Sequence, residues 1–186
     1  MRIVSGFLKN KKIEFLKTAV TRPLRDFAKE NIFNIISHSN LVSVKLKNAN
    51  ILDLYSGVGS FGIECISRGA NKSTFIENDN NALSVLKTNL KKLKIEKQSE
   101  IFNIKTTSFL NRLEEKNKFE IVFLDPPFAE SFYIEELKII KTSGILKKKH
   151  LIIIHREGKK EEKIEKIMNV LLTRKYGRSK VVFGTF

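Results

Sequence analysis

The stretch from Ile51 to Gly62, ILDLYSGVGSFG, joins a short apolar run to a glycine-rich turn and then to an apolar segment at helical spacing. Glycine adopts positive φ without strain and lets a ligand approach the backbone, so Gly57 and Gly59 predict a tight turn. A turn between a buried strand and the N-terminus of a helix is a frequent binding site for nucleotide-like ligands. The stretch therefore predicts a strand–turn–helix unit around which an α/β fold is built.

The charge beside this turn narrows the choice of ligand. Gly57, Gly59 and Gly62 satisfy the G-x-G-x-x-G pattern of dinucleotide sites, but the pattern alone is weak, and a turn without any ligand stays open. Asp53 lies near the carboxyl end of the predicted strand, where a carboxylate repels a diphosphate and attracts a cation. S-adenosylmethionine carries an ammonium, a sulfonium and an adenosine, so it suits a carboxylate below a glycine turn. Glu77, about 20 residues beyond the turn, is placed to accept the ribose hydroxyls of either ligand.

Apolar runs and amphipathic segments alternate along the rest of the chain. They predict seven strands, near residues 51–54, 74–77, 101–104, 119–124, 151–154, 170–176 and 181–183, and helices near 61–67, 82–93, 109–113, 137–140 and 164–168. Strands that alternate with helices specify a doubly wound α/β sandwich, so we predict a mostly parallel, Rossmann-like sheet of seven strands. The run at 151–154 is the most apolar, which predicts the centre of that sheet. The last two strands predict a hairpin and an antiparallel edge.

The net charge is the next constraint. The 186 residues include 35 Lys and Arg against 20 Asp and Glu, a net charge of +15. Such an excess favours a polyanionic partner, although lysines that merely cover solvated faces are the simpler alternative. The excess is uneven, because residues 1–47 hold ten basic and three acidic side chains. We therefore predict that this segment contacts nucleic acid, through Arg2, Lys11, Lys12, Arg22 and Arg25.

Residues 1–47 predict a small extension ahead of a larger domain at 48–186. Short apolar runs around a Lys-Asn-Lys-Lys centre predict a hairpin at residues 2–16. Pro23 suits the first turn of a helix, and the apolar stripe that follows leaves Lys29 on another face. The extension is therefore a hairpin followed by a helix.

Few residue types point to other chemistry. No stretch approaches the ~20 apolar residues that span a membrane, and the first residues lack the apolar core of a signal peptide. Cys65 is the single cysteine, so it forms no internal disulfide, and a cytoplasmic location is expected. His38 has no partner at metal-ligand spacing, and we expect no metal. We expect plain strand-end roles for His150 and His155, while Arg156 is a candidate for lining the cleft.

A second motif, Asp125-Pro126-Pro127-Phe128, follows the fourth predicted strand. Ligands of doubly wound sheets bind beyond the carboxyl ends of the strands, so this motif and the glycine turn are expected to face one cleft. The prolines leave carbonyls that only accept, Asp125 adds a carboxylate, and Phe128 offers a flat apolar face. Acceptors beside an aromatic ring suit an exocyclic amino group on a stacked base. A rigid turn without chemistry is the alternative.

These residues carry a resemblance to a known family. Asp125 to Phe128 resembles the (Asn/Asp)-Pro-Pro-(Phe/Tyr) motif of class I S-adenosylmethionine-dependent methyltransferases that modify exocyclic amines. The whole chain resembles the bacterial 16S ribosomal RNA guanine-N2 methyltransferase family called RsmD. The matching parts are Arg2–Gly6, Arg22–Asp26, Glu30, Phe33–Asn34, Asp53–Gly62, Asp125–Phe128 and Tyr176–Ser179. Leu24 and Phe27 depart from the family, which often has a hydroxyl residue and an arginine there.

The resemblance implies a monomer that methylates N2 of a guanine in 16S ribosomal RNA or an assembling small subunit, of the guanine-966 type. It implies a catalytic set of Asp125, Pro126, Pro127 and Phe128, and a cofactor set of Asp53, Tyr55, Gly57, Gly59, Phe61 and Glu77. Asp rather than Asn at position 125 favours guanine, because a carboxylate accepts from N1–H and N2–H together. An adenine-N6 methyltransferase, a dinucleotide-dependent oxidoreductase and an RNA-binding protein with a decayed enzyme site stay open.

Overall fold

The computed structural model describes residues 1–16, 26–113, 118–127, 132–158 and 164–186. Its helices are α1 (Asp26–His38), α2 (Ser60–Ser67), α3 (Asn80–Leu93), α4 (Thr106–Leu110) and α5 (Tyr133–Thr142). Its strands are β1 (Asn50–Leu54), β2 (Lys72–Glu77), β3 (Ser99–Asn103), β4 (Phe119–Leu124), β5 (Leu146–Glu157), β6 (Asn169–Tyr176) and β7 (Ser179–Thr185). Strands and helices alternate from β1 to β5, as the apolar pattern predicts.

The seven strands form one sheet in the order β3-β2-β1-β4-β5-β7-β6. Neighbours among β1 to β5 are parallel, whereas β7 is antiparallel to both β5 and β6. The predicted doubly wound, mostly parallel sheet with an antiparallel edge is confirmed. The chain winds outward from β1 to β3 and then crosses back to β4. The strand order therefore reverses between β1 and β4, and the crevice at their carboxyl ends is where such sheets bind ligands.

Helices cover both faces of this sheet. On one face, Ile121 and Ile153 pack with Phe33 of α1 and Phe61 of α2. On the other face, alternate residues of the same strands pack against α4 and α5. Because successive side chains of a strand point to opposite faces, strands covered on both sides need apolar residues at every position. This is why residues 121–124 of β4 and 151–154 of β5 are unbroken apolar runs in the sequence.

The predicted N-terminal hairpin is present within residues 1–16. An antiparallel bridge joins Arg2 to Lys12, and the Ile3 N–H donates to the Lys11 carbonyl at 3.0 Å. The apolar side chains of the hairpin pack against α2 and α3, in the layer on the α1 side of the sheet. The hairpin and α1 therefore share the core of the sheet, and the division into two domains stays a prediction.

Two predicted features differ from the structure. Residues 164–168 contain one 3₁₀ turn, Ile164–Lys166, instead of a longer helix, and residues 159–163 lie outside the described part. β5 is not the central strand, because β7 and β6 lie beyond it. Its apolar sequence reflects burial on both faces, between parallel β4 and antiparallel β7. The predicted helix start near Pro23 falls on residues that the structure does not describe.

Two kinds of feature are absent from the described residues. No helix among them is long and apolar enough to cross a membrane. In the same ranges, no group of three or more His, Cys, Asp or Glu side chains is arranged to hold a metal ion.

Candidate active site

The glycine turn follows β1 at the point where the strand order reverses. Tyr55, Gly57 and Gly59 all have positive φ, of 60°, 55° and 85°. A Cβ at Gly57 would meet no atom within 4 Å, so this glycine borders open space. A Cβ at Gly59 would lie 2.4 Å from Leu86 Cδ1, so this position requires glycine for packing as well as for conformation. At Gly57 the backbone of the turn therefore borders open space, and the predicted approach of a ligand there stays a prediction.

Asp53 lies directly below this turn, with 1% of its surface exposed. Its Oδ2 accepts a hydrogen bond from the Gly62 N–H at 2.9 Å, which ties β1 to α2. Its Oδ1 is buried without a hydrogen-bond partner among the described residues. The same is true of the hydroxyls of Ser56 and Ser60, which follow Asp53 in the glycine turn and at the start of α2. A buried acceptor without a donor costs about 1–3 kcal/mol, and more when it is charged. The site is therefore incomplete without a donor for Asp53.

Burial is the main reason that the pKa of Asp53 is raised well above the ordinary value of a carboxyl group. The hydrogen bond from Gly62 opposes that rise, while the negative charges of Asp125 and Glu77 add to it. The three carboxyl groups therefore lie close enough to interact electrostatically. A cation placed among them would relieve their repulsion, whereas a diphosphate would increase it.

Asp53 and Asp125 lie at the carboxyl ends of adjacent strands. β1 and β4 are paired in parallel, and Leu54, the residue after Asp53, lies opposite Leu124, the residue before Asp125. The Asp125 N–H donates to the Leu54 carbonyl at 3.4 Å. The structure thus brings the two sequence motifs to one edge of the sheet.

Glu77 is the link between the glycine turn and the end of β2. Its Oε2 accepts from the Gly57 N–H at 2.7 Å, and its Oε1 accepts from the N–H groups of Asn78 and Asp79, both at 2.8 Å. These three bonds fix the carboxylate beside Gly57, next to the open side of the turn. Its predicted role as a ribose acceptor fits this position and stays a prediction.

Tyr55 and Phe61 differ in where their rings lie. The Tyr55 hydroxyl donates to Glu136 Oε1 of α5 at 2.8 Å, so its half-buried ring spans from the end of β1 to α5. Phe61 is 2% exposed and stacks between Phe33 and Phe123, with ring centroids 5.3 and 4.1 Å away. Its ring is therefore part of the core between α1 and the sheet, and the predicted contact of Phe61 with the cofactor stays a prediction.

The residues after β4 are held by the end of β5. His155 Nδ1 lies 2.8 Å from Asp125 Oδ1. Arg156 is fully buried and donates from one Nη1 to the carbonyls of Pro126 and Pro127, at 3.4 and 3.0 Å. Its guanidinium also lies 4.4 Å from the centre of the Tyr133 ring. Because consecutive residues of a strand point to opposite faces, His155 and Arg156 hold the proline corner from both sides of the sheet.

These contacts correct two predictions. His155 is not a plain strand-end residue, because it binds the side chain of Asp125 directly. Arg156 does not line an open cleft but lies beneath the proline corner, so the carbonyls of Pro126 and Pro127 are already hydrogen-bonded on one side. The parallel pairing of β4 with β5 is the feature that indicates these contacts, because it places residues 155 and 156 beside residues 125 and 126. Phe128 lies outside the described residues.

The predicted nucleic-acid contacts are divided between described and undescribed parts. Arg2, Lys11 and Lys12 are exposed on the hairpin, whereas Arg22 and Arg25 lie outside the described residues. A hydrogen-bond chain fixes the hairpin relative to the site. The Glu14 N–H donates to Asn89 Oδ1 at 2.8 Å, and Asn89 Nδ2 donates to the carbonyl of Val58 in the glycine turn at 3.1 Å.

A buried ionic cluster anchors the other side of the hairpin. Glu64 of α2 accepts from the backbone N–H groups of Val4 and Ser5, at 2.8 and 2.9 Å, and from Arg68 Nε at 2.8 Å. Lys29, expected on another face of α1, is fully buried, with its Nζ 3.6 Å from Glu64 Oε2. Lys29 is a structural residue, because it neutralises a carboxylate that would otherwise be buried with too little positive charge.

Sequence comparison assigns relatives to the chain. The family model described as Conserved hypothetical protein 95 matches residues 1–185. A protein of Haemophilus influenzae called "Ribosomal RNA small subunit methyltransferase D" is 32% identical over 161 residues, covering 86% of this chain and 80% of its own length. A protein of the same name from Buchnera aphidicola subsp. Baizongia pistaciae is 32% identical over 187 residues, covering 100% of this chain and 91% of its own length.

Structure comparison gives a consistent result. The solved structure named "Putative methyltransferase yhhF from Escherichia coli" has a TM-score of 0.84 and 25% identity. The match covers 100% of this chain and 97% of that one. The likeness therefore includes the N-terminal hairpin and α1 as well as the sheet.

Proposed function

The chain belongs to the family described as Conserved hypothetical protein 95, the RsmD-type methyltransferases, and from this membership we propose that it methylates N2 of a guanine in 16S ribosomal RNA. One observation carries the proposal further than the family does. A buried carboxylate that lacks a donor, Asp53, and a partly exposed carboxylate, Asp125, meet at the ends of adjacent strands. Asp53 suits the cationic end of a methyl donor, and Asp125 suits an amine.

The cofactor is S-adenosylmethionine, which supplies a methyl group bound to a positively charged sulfur. The residues at the glycine turn fit it. Asp53 Oδ1 would receive its amino group, and the open face at Gly57 would let its chain approach the backbone. Glu77 and Tyr55 border the same turn, and Glu77 would accept ribose hydroxyls. Asp53 stays ionised most readily when such a cation is bound, since a nearby positive charge lowers the pKa of a carboxyl group.

The amine side of the site is Asp125 and the carbonyls that follow it. Guanine N2 is a poor nucleophile because its lone pair is delocalised into the ring. Hydrogen bonds from N2–H to Asp125 and to the Pro126 carbonyl would hold that nitrogen with its lone pair directed toward the methyl group. Acceptors already in place also stabilise the positive charge that develops on the nitrogen. By resemblance to the family, Phe128 would stack on the base.

His155 and Arg156 act through these acceptors as positioning residues. His155 Nδ1 donates to Asp125 Oδ1, which restricts rotation of the carboxylate and leaves its second oxygen for the amine. Arg156 fixes the Pro126 and Pro127 carbonyls from below. Orientation of both reactants is the main contribution required here, since the amine loses its proton readily once methylated, and proximity can lower a barrier by roughly 7–11 kcal/mol.

An RNA substrate is supported by charge and by relatives. The chain carries a net charge of +15, and Arg2, Lys11 and Lys12 are exposed on a hairpin that is joined to the glycine turn. The closely matching relatives are named as methyltransferases of the small-subunit ribosomal RNA. We therefore propose that the hairpin contacts the RNA, that the protein acts as a monomer in the cytoplasm, and that guanine 966 is the target type.

The rival activities have less support from the site. A dinucleotide would bring a diphosphate against the coupled carboxylates of Asp53, Glu77 and Asp125, which is electrostatically unfavourable. An adenine-N6 methyltransferase would differ only in the base that it modifies. The identity of the methylated nucleoside therefore decides between that activity and guanine-N2 methylation.

The test is methyl transfer from S-adenosylmethionine to 16S RNA in small-subunit particles, with the product nucleoside identified by mass spectrometry. We expect N2-methylguanosine from the unaltered protein and none above background from Asp125→Ala, which should still bind S-adenosylhomocysteine. Glu135→Gln is the control, because it removes an exposed carboxylate that pairs with Lys138 at the surface. N6-methyladenosine as the product would contradict the assignment of the base, and full turnover in Asp125→Ala would remove that residue from the mechanism.

A further inference from the structure

An aromatic side chain at the start of α1 is exposed rather than packed in the core. Phe27 is 70% exposed. Its ring meets that of Tyr176, the last residue of β6, with centroids 6.2 Å apart and planes at 81°. Tyr176 itself packs against the apolar layer under α1, so the pair forms an aromatic step from the core to the surface. A single exposed apolar side chain is ordinary, whereas an exposed aromatic pair bordered by polar residues is typical of an interaction site.

Two arginines flank this aromatic pair. Arg174 lies two residues before Tyr176 on β6, so both side chains project from the same face of the sheet. Burial raises the pKa of Tyr176, and the positive charge of Arg174 opposes that rise, which places the two groups close together. Arg178 is exposed in the turn between β6 and β7. Neither arginine forms an ion pair with a carboxylate in the part of the chain that the structure describes. We call Phe27, Arg174, Tyr176 and Arg178 the aromatic–basic ridge.

The Arg178 end of the ridge lies near the amine side of the site. The Gly158 N–H donates to the Arg178 carbonyl at 2.8 Å, and Glu157 is paired with Ser179 across β5 and β7. Two residues before Glu157 on the same strand is His155, which contacts Asp125. The turn of the ridge therefore lies beside the end of the strand that positions the catalytic carboxylate.

We propose that the aromatic–basic ridge binds an unpaired nucleotide of the RNA next to the target guanine. Phe27 stacks on the base, and Arg174 and Arg178 contact its phosphates. The proposal rests on the proposed function, because it assigns a further contact to the same RNA. Stacking platforms with cationic neighbours are the usual way that proteins hold unpaired bases. A second copy of this strongly basic chain would instead bring like charges together on the ridge.

The test is the affinity of the protein, saturated with S-adenosylhomocysteine, for a fluorescein-labelled, single-stranded RNA oligonucleotide that contains guanine. Phe27→Ala should raise the Kd roughly tenfold, from the loss of one base stack, and Phe27→Trp should restore affinity. Leu41→Ala is the control, since it truncates another exposed apolar side chain just past the opposite end of α1. Because Phe27 is exposed, its truncation should leave folding and S-adenosylhomocysteine binding unchanged.

The arginines are tested by the salt dependence of the same Kd. Arg178→Ala should reduce the slope of log Kd against log salt by roughly 0.7, the value for one phosphate of a single strand, whereas Phe27→Ala should leave the slope unchanged. Lys175→Ala is the control, because Lys175 projects from the opposite face of β6 and carries the same charge. An equal loss of slope in both variants would mean that the RNA senses only net charge, which overturns the ridge.

Other outcomes also decide the proposal. If the unaltered chain methylates RNA but Phe27→Ala binds RNA with unchanged affinity, the ridge is wrong and the proposed function stands. If the unaltered chain transfers no methyl group to RNA, both proposals fail. If sedimentation velocity shows a dimer that Phe27→Ala dissociates, the ridge is an interface between copies and the RNA proposal is overturned.

Discussion

Replacing Asp53 by Asn separates the cost of this side chain to folding from its use in binding. The neutral amide keeps an oxygen for the Gly62 N–H but removes a buried charge whose Oδ1 has no donor among the described residues. A buried polar group without a partner costs about 1–3 kcal/mol, and more when it is charged, so the neutral amide should cost less than the ionised carboxylate. We therefore expect the ligand-free variant to be more stable than the unaltered protein by about 1–2 kcal/mol near neutral pH. For a chain of this size, that gain raises Tm by about 2–8 °C.

The pH dependence of the free energy of unfolding is an independent check on the sign of this stability change. A carboxyl group whose pKa is raised by folding binds its proton more tightly in the folded state. Its contribution to stability is therefore largest below the unfolded pKa of about 3.9, and is lost as pH rises through the folded pKa. The amide does not titrate. The stability advantage of Asp53→Asn should thus be small near pH 4 and grow as the pH is raised.

Binding should change in the opposite direction. At a concentration of 100 Kd, S-adenosylhomocysteine stabilises the unaltered protein by about 2.7 kcal/mol, which raises Tm by about 5–11 °C. Losing a charge-assisted bond to its amino group costs about 1.5–3 kcal/mol, or about 10- to 150-fold in Kd. With affinity reduced 100-fold, the same concentration adds only about 0.4 kcal/mol, or about 1–2 °C.

The assay is thermal unfolding with and without S-adenosylhomocysteine across a pH series. Glu100→Gln is the control, because it removes an equal charge from an exposed pair with Lys72. A variant that is less stable than the unaltered protein at neutral pH would refute the account of a strained buried carboxylate. A full ligand-induced shift in Asp53→Asn would refute its role in holding the cofactor.

Two further predictions concern the supports of the site. His155→Leu removes the donor to Asp125 and should lower kcat roughly tenfold, with little change in KM for S-adenosylmethionine. His155→Asn keeps a donor near the position of Nδ1 and should retain more of the activity. Equal losses in the two variants would mean that His155 only fills space. Glu64→Gln breaks the buried cluster with Lys29 and Arg68 and should cost about 3 kcal/mol, or about 6–12 °C in Tm, while Glu100→Gln should cost less than about 0.5 kcal/mol. Calorimetry compares the latter two variants directly, and an equal, small loss in both would contradict the account of the cluster.

Local patterns were sufficient to predict much of this molecule. The glycine turn, the alternation of strands and helices, and the antiparallel last hairpin depend on residues close in sequence. Asp53 and Asp125 could be placed at one edge of the sheet because each lies at the carboxyl end of a buried strand in a fold with a known binding edge. The same reasoning failed for residues whose roles depend on distant partners.

His155 and Lys29 are examples of this failure. The contact of His155 with Asp125 depends on the register between β4 and β5, which no local pattern specifies. The apolar stripe of α1 gave no reason to bury Lys29, because its partner Glu64 belongs to another helix. In each case a contact between separate elements outweighed the local pattern.

The central claim is that one cleft receives a cationic methyl donor at Asp53 and an amine at Asp125. A crystal structure of the protein with S-adenosylhomocysteine tests it most directly. We expect the amino group of the ligand within hydrogen-bond distance of Asp53 Oδ1, its ribose beside Glu77, and its sulfur on the side of the cleft that faces Asp125. A ligand bound elsewhere, or an Asp53 Oδ1 still without a donor in that complex, would contradict the claim.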